Sequence, residues 1–375
     1  MWDARLRAHP PGGTARPSSS AKGRLRFVKA LSFACLCVGL AISPFATSFV
    51  VAQGAVFQTS VTPLPDEDLG SDCRYEITLT DRERTIRGVW VIFDRGRDML
   101  RLYGDPDVQA FARRHGLALL LPFHCRAKSG TDGDLNMDPK QGIGRAFFAA
   151  LGQFAELSGH RELASAKLIL LGFSGTGSLV GRFAAYTPDR VLAVVATHPG
   201  HNPLGLETID LSPEAAAIPQ FILAGSTDRI TGTERPYAYF RKYYDRGAPW
   251  TFVVQNKTPH CCVINAKELV LAWLDAVVIQ RMTRGRDGER YGFIRTAPET
   301  AQGCPNLFPP ATPIWCHGTK DAWGGENWSV STAAIEPRPA PPVEMMPAGW
   351  LPNPSFAKQW LSFVTQPNHP VMSLP

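Results

Sequence analysis

Lys167–Gly177 reads KLILLGFSGTG, and this stretch decides the fold. Leu168–Leu171 are consecutive apolar residues and predict a short buried strand. Gly172-Phe173-Ser174-Gly175 forms a tight turn, and Ser178–Ala185 predicts a helix. A serine on such a strand-to-helix turn has an exposed hydroxyl. It also lies beside the free N–H groups of the helix, which suit a developing oxyanion. Ser174 is therefore the candidate nucleophile, set against the plainer reading of an ordinary Gly/Ser turn.

Outward from this turn, strands and helices alternate. Arg74–Thr80 and Thr85–Phe93 predict two strands, the second ending in the almost wholly apolar GVWVIF of a strand covered on both faces. Asp105-Pro106 is an N-cap followed by a proline that can open a helix. Leu117–Leu121 predicts a strand, and Gln141–Ser158 a helix stopped by Gly159. Strands follow at Val191–Ala196, Gln220–Ala224 and Trp250–Val254, with helices at Tyr237–Tyr244 and Ala266–Gln280. Such alternation predicts an α/β fold with a mostly parallel, doubly wound sheet, which binds ligands beyond the carboxyl ends of its strands. Ser174 stands at one such end.

A serine hydroxyl needs an imidazole to take its proton, and the imidazole needs a carboxylate to fix its tautomer. Asp228 follows the strand Gln220–Ala224 in GSTD, and His260 follows Trp250–Val254 in TPH. Both stand at strand ends, in the order Ser174, Asp228, His260. Glu234 is the fallback acid, and His198 and His201, in THPGH, compete for the base but fit better as pocket or backbone-capping residues. The oxyanion hole should use the Gly175 N–H and one from the loop Asp94–Arg97, for which Arg95 is the candidate. Phe173, Tyr103 and His124 are further candidates for the pocket wall.

On GFSGTG, GSTD, TPH and their order, residues 73–280 resemble the α/β-hydrolase superfamily. Within it the layout is similar to secreted carboxylesterases of the polyhydroxyalkanoate-depolymerase and feruloyl-esterase type. The resemblance implies hydrolysis of a small-molecule or polymeric ester through an acyl-enzyme, without metal or organic cofactor. Peptidase or acyltransferase activity on the same triad, and a silent binding protein on the same fold, are the alternatives. Thr176 departs from the usual G-x-S-x-G, in which a small residue lets the helix pack close to its neighbouring strands.

Composition sets the organisation. The chain has 375 residues and a formal charge of +6, but residues 1–29 hold seven basic residues and one acid. Without residues 1–54 the remainder is neutral, which excludes a charge-driven nucleic-acid partner. Arg24, Arg26 and Lys29 precede the apolar run Ala30–Ile42, then Pro44 and the small-x-small site Ala46-Thr47-Ser48, with an alternative cut after Ala52. This is the pattern of an export signal, and implies a periplasmic or secreted protein with no membrane contact once the signal is removed. The alternative is an anchor through residues 30–57, against which Pro44 argues. The expected divisions are residues 1–54 as leader, 55–72 as linker, 73–282 as the α/β-hydrolase domain and 283–375 as an irregular Pro/Trp-rich extension packed on it. That extension holds 15 of the 32 prolines and five of the nine tryptophans, with a short helix near Phe356–Val364.

Outside the leader lie Cys73, Cys125, Cys261, Cys262, Cys304 and Cys316, an even number that suggests disulfides in an exported chain. Cys304–Cys316 is the best local pairing, and adjacent Cys261 and Cys262 are expected to find different partners. No zinc-type spacing is present. Two other motifs are set aside. Gly175-x-Gly177-x-x-x-Gly181 lacks an acid after the next strand to hold a ribose. Asp132-x-Asp134-x-Asn136-x-Asp138 has Met137 and Ile143 where a calcium loop needs glycine and glutamate, and reads as a polar turn.

Overall fold

The computed structural model describes residues 54–82, 84–93, 97–125, 128, 138–200, 209–283, 290–298 and 327–369. In chain order the first elements are β1 (Ala55–Val61), β2 (Cys73–Leu79), β3 (Gly88–Ile92), α1 (Arg97–Gly104), α2 (Pro106–His115), β4 (Leu117–Phe123) and α3 (Ile143–Ser158). Then come β5 (Lys167–Phe173), α4 (Gly175–Tyr186), β6 (Val191–Thr197), α5 (Pro213–Ala216), β7 (Gln220–Gly225), α6 (Glu234–Tyr244) and β8 (Trp250–Gln255). α7 (Lys267–Thr283), β9 (Arg290–Pro298), β10 (Trp328–Glu336), β11 (Met346–Leu351) and α8 (Pro354–Val364) follow.

Among the described residues the strands form one eleven-stranded sheet in the order β1-β2-β4-β3-β5-β6-β7-β8-β11-β9-β10. The six strands from β3 to β8 run parallel, and β2 joins β4 antiparallel. This order and polarity, with helices on both faces, is the α/β-hydrolase topology. The central strands divide their residues between two cores. Trp90, Ile92, Ile169 and Leu171 face α1, α2 and α7, while Val89, Val91, Leu168 and Leu170 face α3 and α4. Strands apolar at every position fit only where both faces are covered.

The local signals act as expected. Asp105 Oδ1 accepts from the backbone N–H of Asp107 (2.9 Å) and Val108 (3.3 Å), capping α2. Gly159 closes α3 in the left-handed conformation, at φ +78°.

Two stretches differ from their expected form. Ala55–Val61, expected within a linker, is β1, paired residue for residue with β2 from Ala55↔Leu79 to Val61↔Cys73. Its alternating AVFQTSV half-buries the strand at the edge of the sheet. Because β1 takes Ala55–Phe57 into the sheet, a membrane span through residues 30–57 would have to end before it. Among the described residues no helix is long and apolar enough to cross a membrane.

The described residues of the extension, expected to be irregular, form three strands and a helix. β11 pairs with β8 at Gly349↔Thr251, and β9 and β10 continue the sheet beyond it. Gly349, at φ +101°, permits this contact, since a Cβ there would lie 1.9 Å from the Trp250 carbonyl oxygen. Trp360 of α8 is fully buried and donates to the Phe252 carbonyl at 3.2 Å. The extension thus covers what would be the free edge of β8.

Cys73 and Cys125 form a disulfide joining the start of β2 to the segment after β4. Cys261 and Cys262, expected to diverge, are bonded to each other. Cys304 and Cys316 lie outside the described residues.

Candidate active site

The parallel strands β5, β7 and β8 end along one edge of the sheet, and the candidate residues stand there. Ser174 follows β5 with φ +55° and ψ −122°, a backbone conformation costing about 1–3 kcal/mol in a non-glycine residue. Outliers of this kind persist only where their surroundings hold them. Here the Ser174 N–H donates to the Thr197 carbonyl at 3.0 Å, and the Ser178 N–H donates to the Ser174 carbonyl at 3.3 Å. Although Ser174 occupies the N-cap position of α4, its side chain makes no capping bond. The hydroxyl is thus not used in holding the helix.

Thr176 has a local explanation. Its hydroxyl accepts from the Phe173 N–H at 2.9 Å and donates to the Phe173 carbonyl at 2.8 Å, stapling the turn across Ser174. Close packing falls on the flanking glycines. A Cβ at Gly172 would lie 2.2 Å from the Thr176 carbonyl oxygen, and one at Gly177 3.0 Å from the Thr197 oxygen. The helix therefore approaches β6 at Gly177, leaving room for a β-branched residue at Thr176.

Asp228 follows β7 and is fully buried. Its Oδ1 accepts from the N–H groups of Ile230 (2.9 Å) and Thr231 (3.0 Å), and its Oδ2 from the Thr231 hydroxyl (2.8 Å). The fourth partner is His260, whose Nδ1 lies 2.7 Å from Oδ2. Burial alone would raise this carboxyl, but the His260 imidazole, its hydrogen bond, His198 and the Thr231 N–H together hold it down at about 2. An ionised carboxylate can only accept, so the proton of that bond sits on His260 Nδ1 and Nε2 keeps its basic lone pair.

The two loops are tied to each other. The Thr227 N–H donates to the Thr258 carbonyl at 3.0 Å, and the Lys257 N–H to Ser226 Oγ at 2.7 Å. Glu234, the fallback acid, is exposed at the start of α6.

The rings of the site meet around Phe173. Its centroid lies 4.8 Å from His260 and 5.6 Å from His198, and the two imidazoles are 5.9 Å apart, edge to face. His198 is fully buried, at φ +45°. Burial lowers its imidazole, the Asp228 charge opposes that and His260 adds to it, leaving it at about 4. His198 is thus neutral at physiological pH, and with neither ring nitrogen hydrogen-bonded it caps no backbone group.

Two other expected pocket residues have contacts of their own. Tyr103 lies in α1 with its hydroxyl 2.8 Å from the Thr78 hydroxyl, so its polar end is engaged with β2. His124 is exposed just after β4, edge-on to Phe123. Arg95, the expected second oxyanion donor, and His201 lie outside the described residues. Gly175 is buried at the first position of α4, so its N–H belongs to the first turn, which has no intrahelical acceptor.

The sequence reading missed Thr231, whose N–H and hydroxyl both bond the Asp228 carboxylate. It also missed Asn256, whose partners lie far along the chain. Among the described residues no group of three His, Cys, Asp or Glu side chains converges on a metal site. Of the calcium-like segment only Asp138 is described, and its carboxylate accepts from the Lys140 N–H at 3.0 Å.

No protein-family model matches the chain. No curated protein matches it. Among solved structures, the chain is similar to an alpha/beta hydrolase enzyme from a Medee basin deep-sea metagenome library. The identity is 14%, the TM-score 0.43, and the match covers 60% of this chain and 98% of that one. It is similar to S-formylglutathione hydrolase from Staphylococcus aureus at 14% identity and TM-score 0.41, over 60% of this chain and 99% of that one. A ferulic acid esterase matches at 12% identity and TM-score 0.41, over 59% and 96% of the two chains.

Proposed function

We propose that the chain is a serine hydrolase that cleaves carboxylic esters, with Ser174 as nucleophile, His260 as base and Asp228 as the orienting acid. The observation that carries this reading is the 2.7 Å bond between His260 Nδ1 and the buried Asp228 carboxylate. It stands at the strand-end edge where Ser174 is held at positive φ. His260 Nε2 takes the Ser174 proton as Oγ attacks the ester carbonyl. The Gly175 N–H, with that of Arg95, holds the oxyanion. His260 then returns the proton to the departing alcohol, and water releases the acyl group by the reverse sequence.

We propose in addition that the protein works outside the cytoplasm after export. The disulfides Cys73–Cys125 and Cys261–Cys262 support an oxidising compartment.

The test is to incubate the purified protein with a fluorophosphonate probe and a short-chain activated ester, beside Ser174→Ala. Labelling and turnover confined to the parent chain are expected. Failure of both would overturn the reading, and turnover of peptides but not esters would replace it with a peptidase.

A further inference from the structure

We propose that the Cys261–Cys262 disulfide is a positioning element for His260, so that opening it disorganises the base without unfolding the domain. The proposal deepens the reading above and rests on His260 as the base. His260 is the middle residue of a three-residue turn, closed by the Cys261 N–H donating to the Pro259 carbonyl at 2.7 Å. On one side of it the proline ring fixes φ. On the other, the disulfide closes a ring through the single peptide bond joining Cys261 to Cys262. The backbone on both sides of the imidazole is therefore covalently restricted.

The far end of the ring is seated in the core. Cys262 is buried and held in the left-handed region at φ +66°. Its carbonyl accepts from the Asn265 N–H at 3.1 Å and from Gln255 Nε2 at 3.5 Å. Val263 and Ala266, in the short 3₁₀ turn that follows, are buried. A left-handed conformation is unfavourable for a residue with a Cβ. The two thiols of the reduced form would no longer hold that conformation, and Cys262 can relax toward negative φ. His260 would turn with it, away from Asp228 Oδ2. Cys261 is the more accessible cysteine of the pair, whereas Cys73 and Cys125 are both buried. A water-soluble phosphine under native conditions should therefore open the Cys261–Cys262 bond first. Phosphorus is oxidised to the phosphine oxide, water supplies its oxygen and the two thiol protons, and the disulfide is reduced.

The experiment treats the folded protein with a trialkylphosphine, alkylates the freed thiols and maps them by mass spectrometry. Ester turnover and the downfield proton resonance of the His260 Nδ1–H are followed together. With alkylation confined to Cys261 and Cys262, kcat should fall roughly 10–100-fold while KM changes less than about twofold. The acid limb of the pH profile should shift, the downfield resonance should broaden or disappear, and reoxidation without alkylation should restore all of them. The Cys261→Ala/Cys262→Ala double variant should match the reduced form and ignore phosphine. If that variant fails to fold, the reduced parent chain decides alone. A resonance and kcat unchanged by reduction at these two cysteines would overturn the proposal. A parent chain with no turnover, but a resonance that responds to reduction, would overturn the hydrolase reading and leave the positioning role standing.

Discussion

Asn256 and Val330 exchange two hydrogen bonds through one side chain. The Val330 N–H donates to Asn256 Oδ1 at 2.8 Å, and Asn256 Nδ2 donates back to the Val330 carbonyl at 3.1 Å. The amide imitates a neighbouring strand at the point where β10 shifts register against β9. Its Nδ2 also reaches the carbonyls of Val364 (3.1 Å) and Gln366 (2.9 Å), and the His369 N–H donates to the Asn256 carbonyl at 3.2 Å. One buried residue at the end of β8 therefore joins the extension to the loop that carries His260.

Asn256→Ala should destabilise the domain by about 2–4 kcal/mol, because it strands buried backbone groups rather than merely removing a contact. Urea unfolding checks this. A loss below about 1 kcal/mol would show that the amide is dispensable.

Asp228→Asn should leave the fold intact and lower ester turnover by about 10⁴-fold, since the amide no longer dictates a proton on His260 Nδ1. Thr231→Val, which removes only the hydroxyl bond to Oδ2, should cost far less. Steady-state kinetics beside a circular dichroism spectrum separates loss of chemistry from loss of structure. Equal activity of Asp228→Asn and the parent chain would move the acid role elsewhere.

Acid should weaken the fold in two windows. The His198 imidazole protonates near 6.5 when unfolded but at about 4 when folded. Its contribution is present above pH 6.5 and is lost as pH falls toward 4, by about 3 kcal/mol in all. Asp228 moves from 3.8 down to about 2, so its contribution is present above pH 3.8 and is lost on falling through that lower window. Replacing His198 with a ring that does not titrate, His198→Phe, should flatten the first window and leave the second. Unfolding midpoints in urea between pH 7.5 and about 2 measure the slope in both windows. An unchanged slope in the variant would rule out His198 as its source.

Thr176→Val keeps the shape of the side chain and removes both bonds to Phe173. It should cost about 1–3 kcal/mol and reduce fluorophosphonate labelling of Ser174, whereas Thr176→Ser should retain both properties. Gly177→Ala should be worse than either, because its methyl group meets backbone atoms of Thr197 and Pro199. If Thr176→Val labels like the parent chain, the staple does not hold the turn.

The fold was legible where local signals agreed. Buried runs such as VLAVVAT and QFILAG cannot be surface segments, and Asp105-Pro106 and Gly159 punctuate helices by their own backbone chemistry. The pairing of Asp228 with His260 followed from both residues standing just after parallel strands. What was not legible depends on partners distant in sequence. β1 was hidden by the prolines that follow it, and β9–β11 by a Pro/Trp-rich composition that reads as irregular. The room for Thr176 depends on how α4 meets β6. The Cys261–Cys262 bond escaped because the two side chains were expected to diverge, a matter of backbone conformation that adjacency does not reveal.

β11 covers the edge of β8, and its residues are translated about a hundred positions after those of β8. Domains emerge from the ribosome amino end first, so β8 and the His260 loop wait for that late segment before their hydrogen bonds are complete. An unpaired strand edge is a template for pairing with other chains. Until β11 has paired with it, the edge of β8 is therefore open to pairing with other chains. The loop that carries Asp228's partner His260 is complete only when residues as late as His369 have joined Asn256.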